Sequence, residues 1–176
     1  MNGLLFRPIV SLEEVTQETA NRLLERWGHK IGPVARPYSK PWCHALHVGD
    51  EPVAVTTSHT LIRDQVGGGL AWLNRGTAVE LSRLCAGQDW ACRVMLRLWR
   101  ECVFPALGYR FAVSYQDAQL HTGNTYRFDG WLRAGYSRAG GNDTRSGREA
   151  RDKFVWVWPA AAARAQLAVD EKAPQA

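Results

Sequence analysis

Lysine is scarce in this chain. Only Lys30, Lys40, Lys153 and Lys172 stand among 22 basic residues, so the other eighteen are arginines. Cysteine is sparse too, with Cys43, Cys85, Cys92 and Cys102 showing no CxxC pair and no ligand-spaced Cys/His cluster. That excludes a disulfide scaffold and a zinc finger, and leaves the expectation of buried thiols in a reducing cytoplasm. No apolar run approaches the roughly 20 residues that span a bilayer, and the first residues lack a charged-then-apolar leader pattern. A membrane partner is therefore not expected. Internal repeats and internal linkers are missing as well.

What is present is an ordinary globular composition. The 176 residues are 45% hydrophobic and 22% charged, too apolar for disorder and long enough for one core. Basic residues outnumber acidic ones 22 to 17, a net charge of +5. Arginine's planar fork suits phosphate and carboxylate, so the bias points to a phosphate-bearing partner. The alternative source of the bias is a GC-rich genome.

Periodicity sets out the elements. Leu4–Ile9 reads as a short strand. Ser11-Leu12-Glu13-Glu14 fits a capping box, and Leu12, Val15, Thr19, Leu23, Leu24 and Trp27 follow at helical spacing up to Gly28. Cys43–Val48 and Val53–Ser58 flank a turn sequence, predicting a hairpin. Thr77–Cys85 alternates as a strand, with Val79, Leu81, Arg83 and Cys85 on one face and Glu80, Ser82 and Leu84 on the other. A helical stripe runs from Ala91 to Val103. Tyr109–Tyr115 is the next strand, Gly123–Asp129 a short helix, and Trp131–Tyr136 and Phe154–Trp158 the last strands. The fold class expected is α/β (α+β), one domain over residues 1–159, then a short helix fraying into a disordered tail over 160–176.

Several residues stand where chemistry is possible. The loop Ala86-Gly87-Gln88-Asp89-Trp90 joins a strand to a helix, and a helix entered this way offers free N–H groups to a pyrophosphate. Gly87 permits unusual backbone angles there, Ala91 and Cys92 are small, and Arg93 adds charge. Glu80 is a mid-strand carboxylate that facing a cleft would serve as general base; otherwise it is a salt-bridge partner. Tyr126 has a phenol able to protonate a leaving thiolate, or packs half-buried. Asp117 and His121 flank a strand end and with His29 would suit a divalent metal such as iron; the alternative is a hydrogen-bonded cap. His44 and His47 point to opposite faces and read as structural. Arg133, Arg138, Arg145, Arg148 and Arg151 line a Gly-containing basic segment that could track a nucleic-acid backbone, or simply be a solvated loop. Trp90 and Trp131 are candidates to stack on a flipped base.

The element order resembles the GNAT acyltransferase fold, with Thr77–Cys85 as its fourth strand, Tyr109–Tyr115 as its fifth and Gly87–Arg93 as its pyrophosphate loop. The resemblance implies acetyl-CoA or a related acyl-CoA as cofactor, contacted by Cys85, Gly87, Ala91, Cys92, Arg93 and Asn124. Tyr126 followed by Gly130-Trp131 matches the family's ending. A narrower resemblance rests on Ser114-Tyr115-Gln116-Asp117, His121-Thr122-Gly123, Tyr126 and Trp131, behind Glu80–Cys85. This set is similar to the Mom family of phage DNA-modification proteins, which convert adenine in DNA to a carbamoylmethyl derivative. Upstream, Trp27-Gly28-His29 is similar to their Trp-His-Tyr-Ser element, but with a glycine inserted and the Tyr-Ser absent. The resemblance implies DNA as substrate, with Glu80, Asp117, His121 and Tyr126 at the catalytic centre. Two further readings remain: an N-acetyltransferase acting on a small amine or protein, and a non-catalytic nucleic-acid-binding module.

Overall fold

A computed structural model describes residues 9–36, 39, 41–138 and 151–170. Seven strands form one mixed sheet in the order β1-β2-β3-β4-β5-β7-β6. They are β1 (Val10–Glu14), β2 (Trp42–Val48), β3 (Glu51–Thr60), β4 (Ala78–Ala86), β5 (Phe111–Asp117), β6 (Leu132–Ser137) and β7 (Lys153–Trp158). The helices are α1 (Gln17–Arg26), α2 (Ala91–Leu98), α3 (Asn124–Phe128) and α4 (Ala160–Asp170). The mixed α+β class expected from the sequence is the one observed. The chain divides into two compact units, Met1–His59 with Ser82–Leu107 and Thr60–Leu81 with Gly108–Ala176.

In the first unit, β1, β2 and β3 run antiparallel, with Leu12, Leu46 and Ala54 in one row and Ala45 facing Val55 in the next. Alternation sends those rows to opposite faces. On one face α1 buries Ala20, Leu23 and Leu24 against Cys43, Ala45, Val55 and Cys85. On the other, α2 buries Ala91 and Met95 against Leu46, Val53 and Ala54. The face assignment for β4 holds at Cys85, which joins the first core, and at Leu84, which packs on the second. It fails at Ser82, whose hydroxyl meets Thr57 and His59 on the face of the first core.

The capping box at Ser11 is overturned. Ser11–Glu14 is strand β1, in register with β2 from Val10↔Val48 to Glu14↔His44. The Ser11 hydroxyl donates to Glu13 at 2.7 Å, capping nothing. The helix starts five residues later, where Thr16 accepts from the Thr19 N–H. Local cap chemistry lost to sheet pairing, because Leu12 gains apolar contacts only as a strand residue. Leu4–Ile9 lies almost wholly outside the described residues.

The second helix ends sooner than its stripe. After Leu98 the backbone loosens into one π-turn (Trp99–Val103) and then a 3-10 turn (Phe104–Leu107). The thiols also differ from expectation: Cys43 and Cys85 are buried, but Cys92 is half-buried and Cys102 exposed.

In the second unit β4 and β5 are parallel over Ala78↔Phe111, Val79↔Ala112 and Glu80↔Val113 only. β7 pairs antiparallel with β5 and with β6. Phe111, Val113, Val155 and Val157 build its core with Leu61, Val66, Leu70 and Leu73 from the long connection before β4. Helix α4 joins that core through the fully buried Ala163.

Candidate functional site

The residues that carried the narrower resemblance come together in the second unit. Ser114 on β5 is buried, and its hydroxyl donates to the Leu81 carbonyl at 2.9 Å. That hydroxyl has one hydrogen, so the 2.8 Å contact between Ser114 Oγ and the Tyr126 hydroxyl has tyrosine as donor. Tyr126 lies on Trp156 with ring centroids 5.5 Å apart and planes 19° from parallel, and Trp131 meets it edge-on at 5.4 Å. The phenol is thereby fixed in plane, in position and in the direction of its proton.

Gln116 secures the platform beneath it. Its amide oxygen accepts from Trp156 Nε1 at 2.7 Å and its amide nitrogen donates to the His121 carbonyl at 2.6 Å. Gly123 opens α3 at φ +75°, and a Cβ there would lie 2.7 Å from Trp156 Cζ2. Only glycine lets the chain pass so close to the indole in that conformation. Sequence reasoning had not assigned Gln116 or Trp156 a role; the signal was their side-chain chemistry, but the pairing spans 40 residues.

Asp117 and His121 part company. Asp117 Oδ1 accepts the N–H groups of Gln119 and Leu120, each at 3.0 Å, and Oδ2 accepts from Arg151 at 3.2 Å. Burial alone would raise the Asp117 pKa, but the Leu120 N–H, Arg151 and the Gln119 N–H together bring it below the usual carboxylate value. His121 is exposed and donates its backbone N–H to the Asp117 carbonyl. Among the described residues no three His, Cys, Asp or Glu side chains converge as a metal requires. The His29–Asp117–His121 iron site is therefore withdrawn: the Asp117 carboxylate is committed to two amides and a guanidinium.

Glu80 is buried at 7% exposure in the last register pair of the β4–β5 ladder. Asn124 is exposed, with its side-chain oxygen accepting from Arg127 at 3.0 Å. Trp131 is buried and donates to Asp129 at 3.1 Å, so its ring is not offered to a base. Arg133 lies over the Phe154 ring at 4.8 Å, Arg138 is exposed, and Arg151 is spent on Asp117. Arg145 and Arg148 lie outside the described residues, as does Gly140–Asp143.

In the first unit, the loop opening α2 has exposed Gly87, Gln88, Asp89 and Trp90. Gly87 differs from expectation. It is not in a left-handed conformation; it is small because the Trp27 indole covers it, and a Cβ would sit 2.5 Å from Trp27 Nε1. Its N–H donates to the Val53 carbonyl at 3.0 Å. Thus Trp27, the residue ahead of Gly28-His29, braces the loop. Ala91 is buried, Arg93 exposed, and Trp90 is 49% exposed at the N-cap position. Burial, then Cys85 and Asp89, push the Cys92 thiol up to about 11, and burial also raises Cys85. Neither thiol is a thiolate nucleophile near neutral pH.

Buried His59 is the penultimate residue of β3. Its Nδ1 lies 2.7 Å from Ser82 Oγ, which itself donates to the Thr57 carbonyl at 3.0 Å. Burial first, and then the charges of Arg36 and Arg83, hold its pKa at about 4. His44 and His47 are sheet residues, with His47 Nδ1 3.9 Å from Glu13.

Comparison with solved structures identifies the fold. A ribosomal-protein-alanine N-acetyltransferase from Escherichia coli superposes with a TM-score of 0.56 at 11% identity, covering 86% of this chain and 94% of that one. A spermidine N-acetyltransferase from Vibrio cholerae gives 0.59 at 9% identity, covering 89% and 96%. A GNAT family acetyltransferase from Elizabethkingia anophelis with acetyl-CoA bound gives 0.50 at 10% identity, covering 86% and 98%. The chain therefore has the GNAT fold. No family model and no curated protein matches it, so the similarity to the Mom family stands on its motif residues alone. No helix among the described residues is long and apolar enough to cross a membrane.

Proposed function

We propose that the chain is an N-acyltransferase that moves an acetyl or related acyl group from coenzyme A to an amine. The observation that carries this reading is the GNAT fold extending over nearly the whole of this chain and of the acetyltransferases it resembles. The fixed Tyr126 phenol supplies chemistry that the fold alone does not.

In this reading the loop Gly87–Arg93 takes the coenzyme's pyrophosphate at the start of α2, with Cys85, Ala91, Cys92 and Asn124 along the coenzyme. The main-chain N–H groups that serve are other than those of Gly87 and Ala91, which bond the Val53 and Gln88 carbonyls. The amine nitrogen attacks the thioester carbonyl, forming the C–N bond. Glu80 accepts the proton that the nitrogen loses. The C–S bond breaks, and the departing thiolate takes the Tyr126 proton, so the products are an amide and the free coenzyme thiol. Tyr126 must turn its proton away from Ser114 to do so, which needs only rotation about the C–O bond. High thiol pKa values at Cys85 and Cys92 favour direct transfer over an acyl-enzyme.

The test is release of coenzyme A thiol from acetyl-CoA with a panel of small amines and peptides. Glu80→Gln and Tyr126→Phe are each expected to lower kcat by about 10²- to 10⁴-fold, a range typical of losing acid–base catalysis, with unchanged thermal melting. Full activity in both variants removes the assigned roles.

Modification of adenine in DNA, to an N6-carbamoylmethyl-type base, is the second reading. It is favoured by one observation: Ser114, Tyr126 and Trp131 from the Mom-like motifs form one connected group, with Gly123 packed on the Trp156 platform that carries Tyr126. Exposed Arg133 and Arg138 would then meet the phosphate backbone. A new modified deoxyadenosine in the DNA of expressing cells, absent with Tyr126→Phe, would establish it. Unaltered adenine alongside amine-dependent thiol release would leave the first reading alone.

A further inference from the structure

Gln116 takes no part in the proposed reaction, yet it stands where the two halves of the Tyr126 support meet. On the antiparallel β5–β7 pair Ser114 lies opposite Trp156, and Gln116 follows two residues further along β5. Strand alternation therefore sends Ser114, Gln116 and Trp156 to one face of the sheet. Tyr126 rests on that face, with its hydroxyl on Ser114 and its ring on the Trp156 indole.

Gln116 and Trp156 are buried, at 4% and 6% exposure. An indole N–H can only donate, so the 2.7 Å contact with Trp156 Nε1 assigns the Gln116 Oε1 to that side. The amide nitrogen then faces the other way and donates to the His121 carbonyl at 2.6 Å. One planar amide thus ties the indole to the turn that leads through Gly123 into α3, the helix carrying Tyr126. Neither half of the stack shifts without breaking one of these bonds. In a buried site a broken bond leaves a polar group unpaired, which is costly.

Stacking alone tolerates a range of ring offsets. Proton transfer tolerates less, since the donor must lie within about 2.6–3.2 Å of the atom it serves. We propose that Gln116 is a positioning residue for the Tyr126 acid, holding the Trp156 indole so that the phenol meets the departing thiolate of coenzyme A. It acts on protonation of the leaving group and on the binding of neither substrate. The proposal rests on the acyl-transfer reading and gives that reading a residue outside the reacting atoms.

Gln116→Met keeps the length of the side chain and removes both bonds. It is expected to lower kcat about ten-fold to a hundred-fold, the cost of misplacing a catalytic group by about 1 Å. The KM values for acetyl-CoA and for the amine should stay within about two-fold of wild type. In a Tyr126→Phe background, where no phenol proton is left to aim, the same substitution should change kcat by less than about two-fold. An equal fall in both backgrounds, or a raised KM with kcat kept, overturns the proposal. Should Gln116→Met fail to fold, Trp156→Phe keeps an aromatic face beneath Tyr126 but gives Gln116 no N–H to hold. It should show the same fall in kcat and the same insensitivity in the Tyr126→Phe background; wild-type kcat in it overturns the proposal.

Positioning is read apart from catalysis on protein labelled with 13C in its tyrosine rings, with no substrate present. The Tyr126 signals are assigned by their loss in Tyr126→Phe, and Gln116→Met should shift them. If they shift while wild type acetylates no amine, the positioning role stands and the acyl-transfer reading fails. If they stay still, the positioning role falls whatever the activity.

Discussion

Tyr126 in the second unit and His59 in the first are held by the same device. Each ring donates to a serine hydroxyl that has already given its own proton to a main-chain carbonyl: Ser114 to Leu81, and Ser82 to Thr57. The carbonyl thus decides where the ring's proton points. The two units differ in what the ring then offers. Tyr126 is half-buried on an aromatic platform and needs only a bond rotation to donate. His59 is fully buried and offers a lone pair, because no rotation can move an imidazole proton from Nδ1 to Nε2. A serine clamp on a hydroxyl leaves a reversible donor, whereas the same clamp on a ring nitrogen leaves a permanent acceptor.

The comparison breaks most severely at Gly123. Gly123→Ala forces a left-handed alanine and drives its Cβ into Trp156 and Gln116. A loss of about 3–4 kcal/mol is expected from strain and overpacking together, measured by urea unfolding. If the loss is instead small, the Tyr126 platform is looser than its contacts indicate.

Next in size is the pH dependence of the first unit. The imidazole pKa falls from 6.5 unfolded to about 4 folded. Between those values the unfolded chain binds a proton that the folded His59 refuses. Stability attributable to His59 is therefore intact above pH 6.5, declines as pH falls, and is lost near pH 4, by up to about 3 kcal/mol. The difference in urea midpoint between wild type and His59→Gln should follow that window; a difference independent of pH would show that His59 is not held neutral.

Smaller effects sharpen the contrast. Gly87→Ala presses on the pyrrole edge of Trp27 but adds no left-handed strain, so about 1–2 kcal/mol is expected in the same assay. A loss equal to that at Gly123 would mean that the Trp27 brace is as rigid as the aromatic platform. Thr16→Ala removes one cap of α1 and should cost about 1 kcal/mol.

Much of the second unit's site was legible because its parts are close along the chain. Ser114, Asp117, His121, Gly123 and Tyr126 fall within thirteen residues, so spacing alone suggested a shared purpose. It did not separate the purposes. Asp117 binds the turn of Gln119 and Leu120 and the Arg151 guanidinium, while Gln116, not singled out, locks the platform. Around the first unit's ring, Thr57, His59 and Ser82 sit on two strands, and nothing in a run of Thr-Thr-Ser-His announces a partner 23 residues away. The capping box at Ser11 erred for a related reason: its local hydrogen bonds were sound chemistry, but the β2 ladder offered the segment more.

By itself the sequence determined the element order, the turn between β2 and β3, the strand character of β4, and hence the mixed sheet with helices. These follow from hydrophobic period and turn chemistry, which act over a few residues. Only the tertiary structure decided which polar atoms meet: which serine clamps which ring, which carboxylate is consumed by main-chain N–H groups, and which indole covers Gly87. A hydrogen bond is a matter of tenths of an ångström and of direction. Those quantities exist only once distant segments have been packed together.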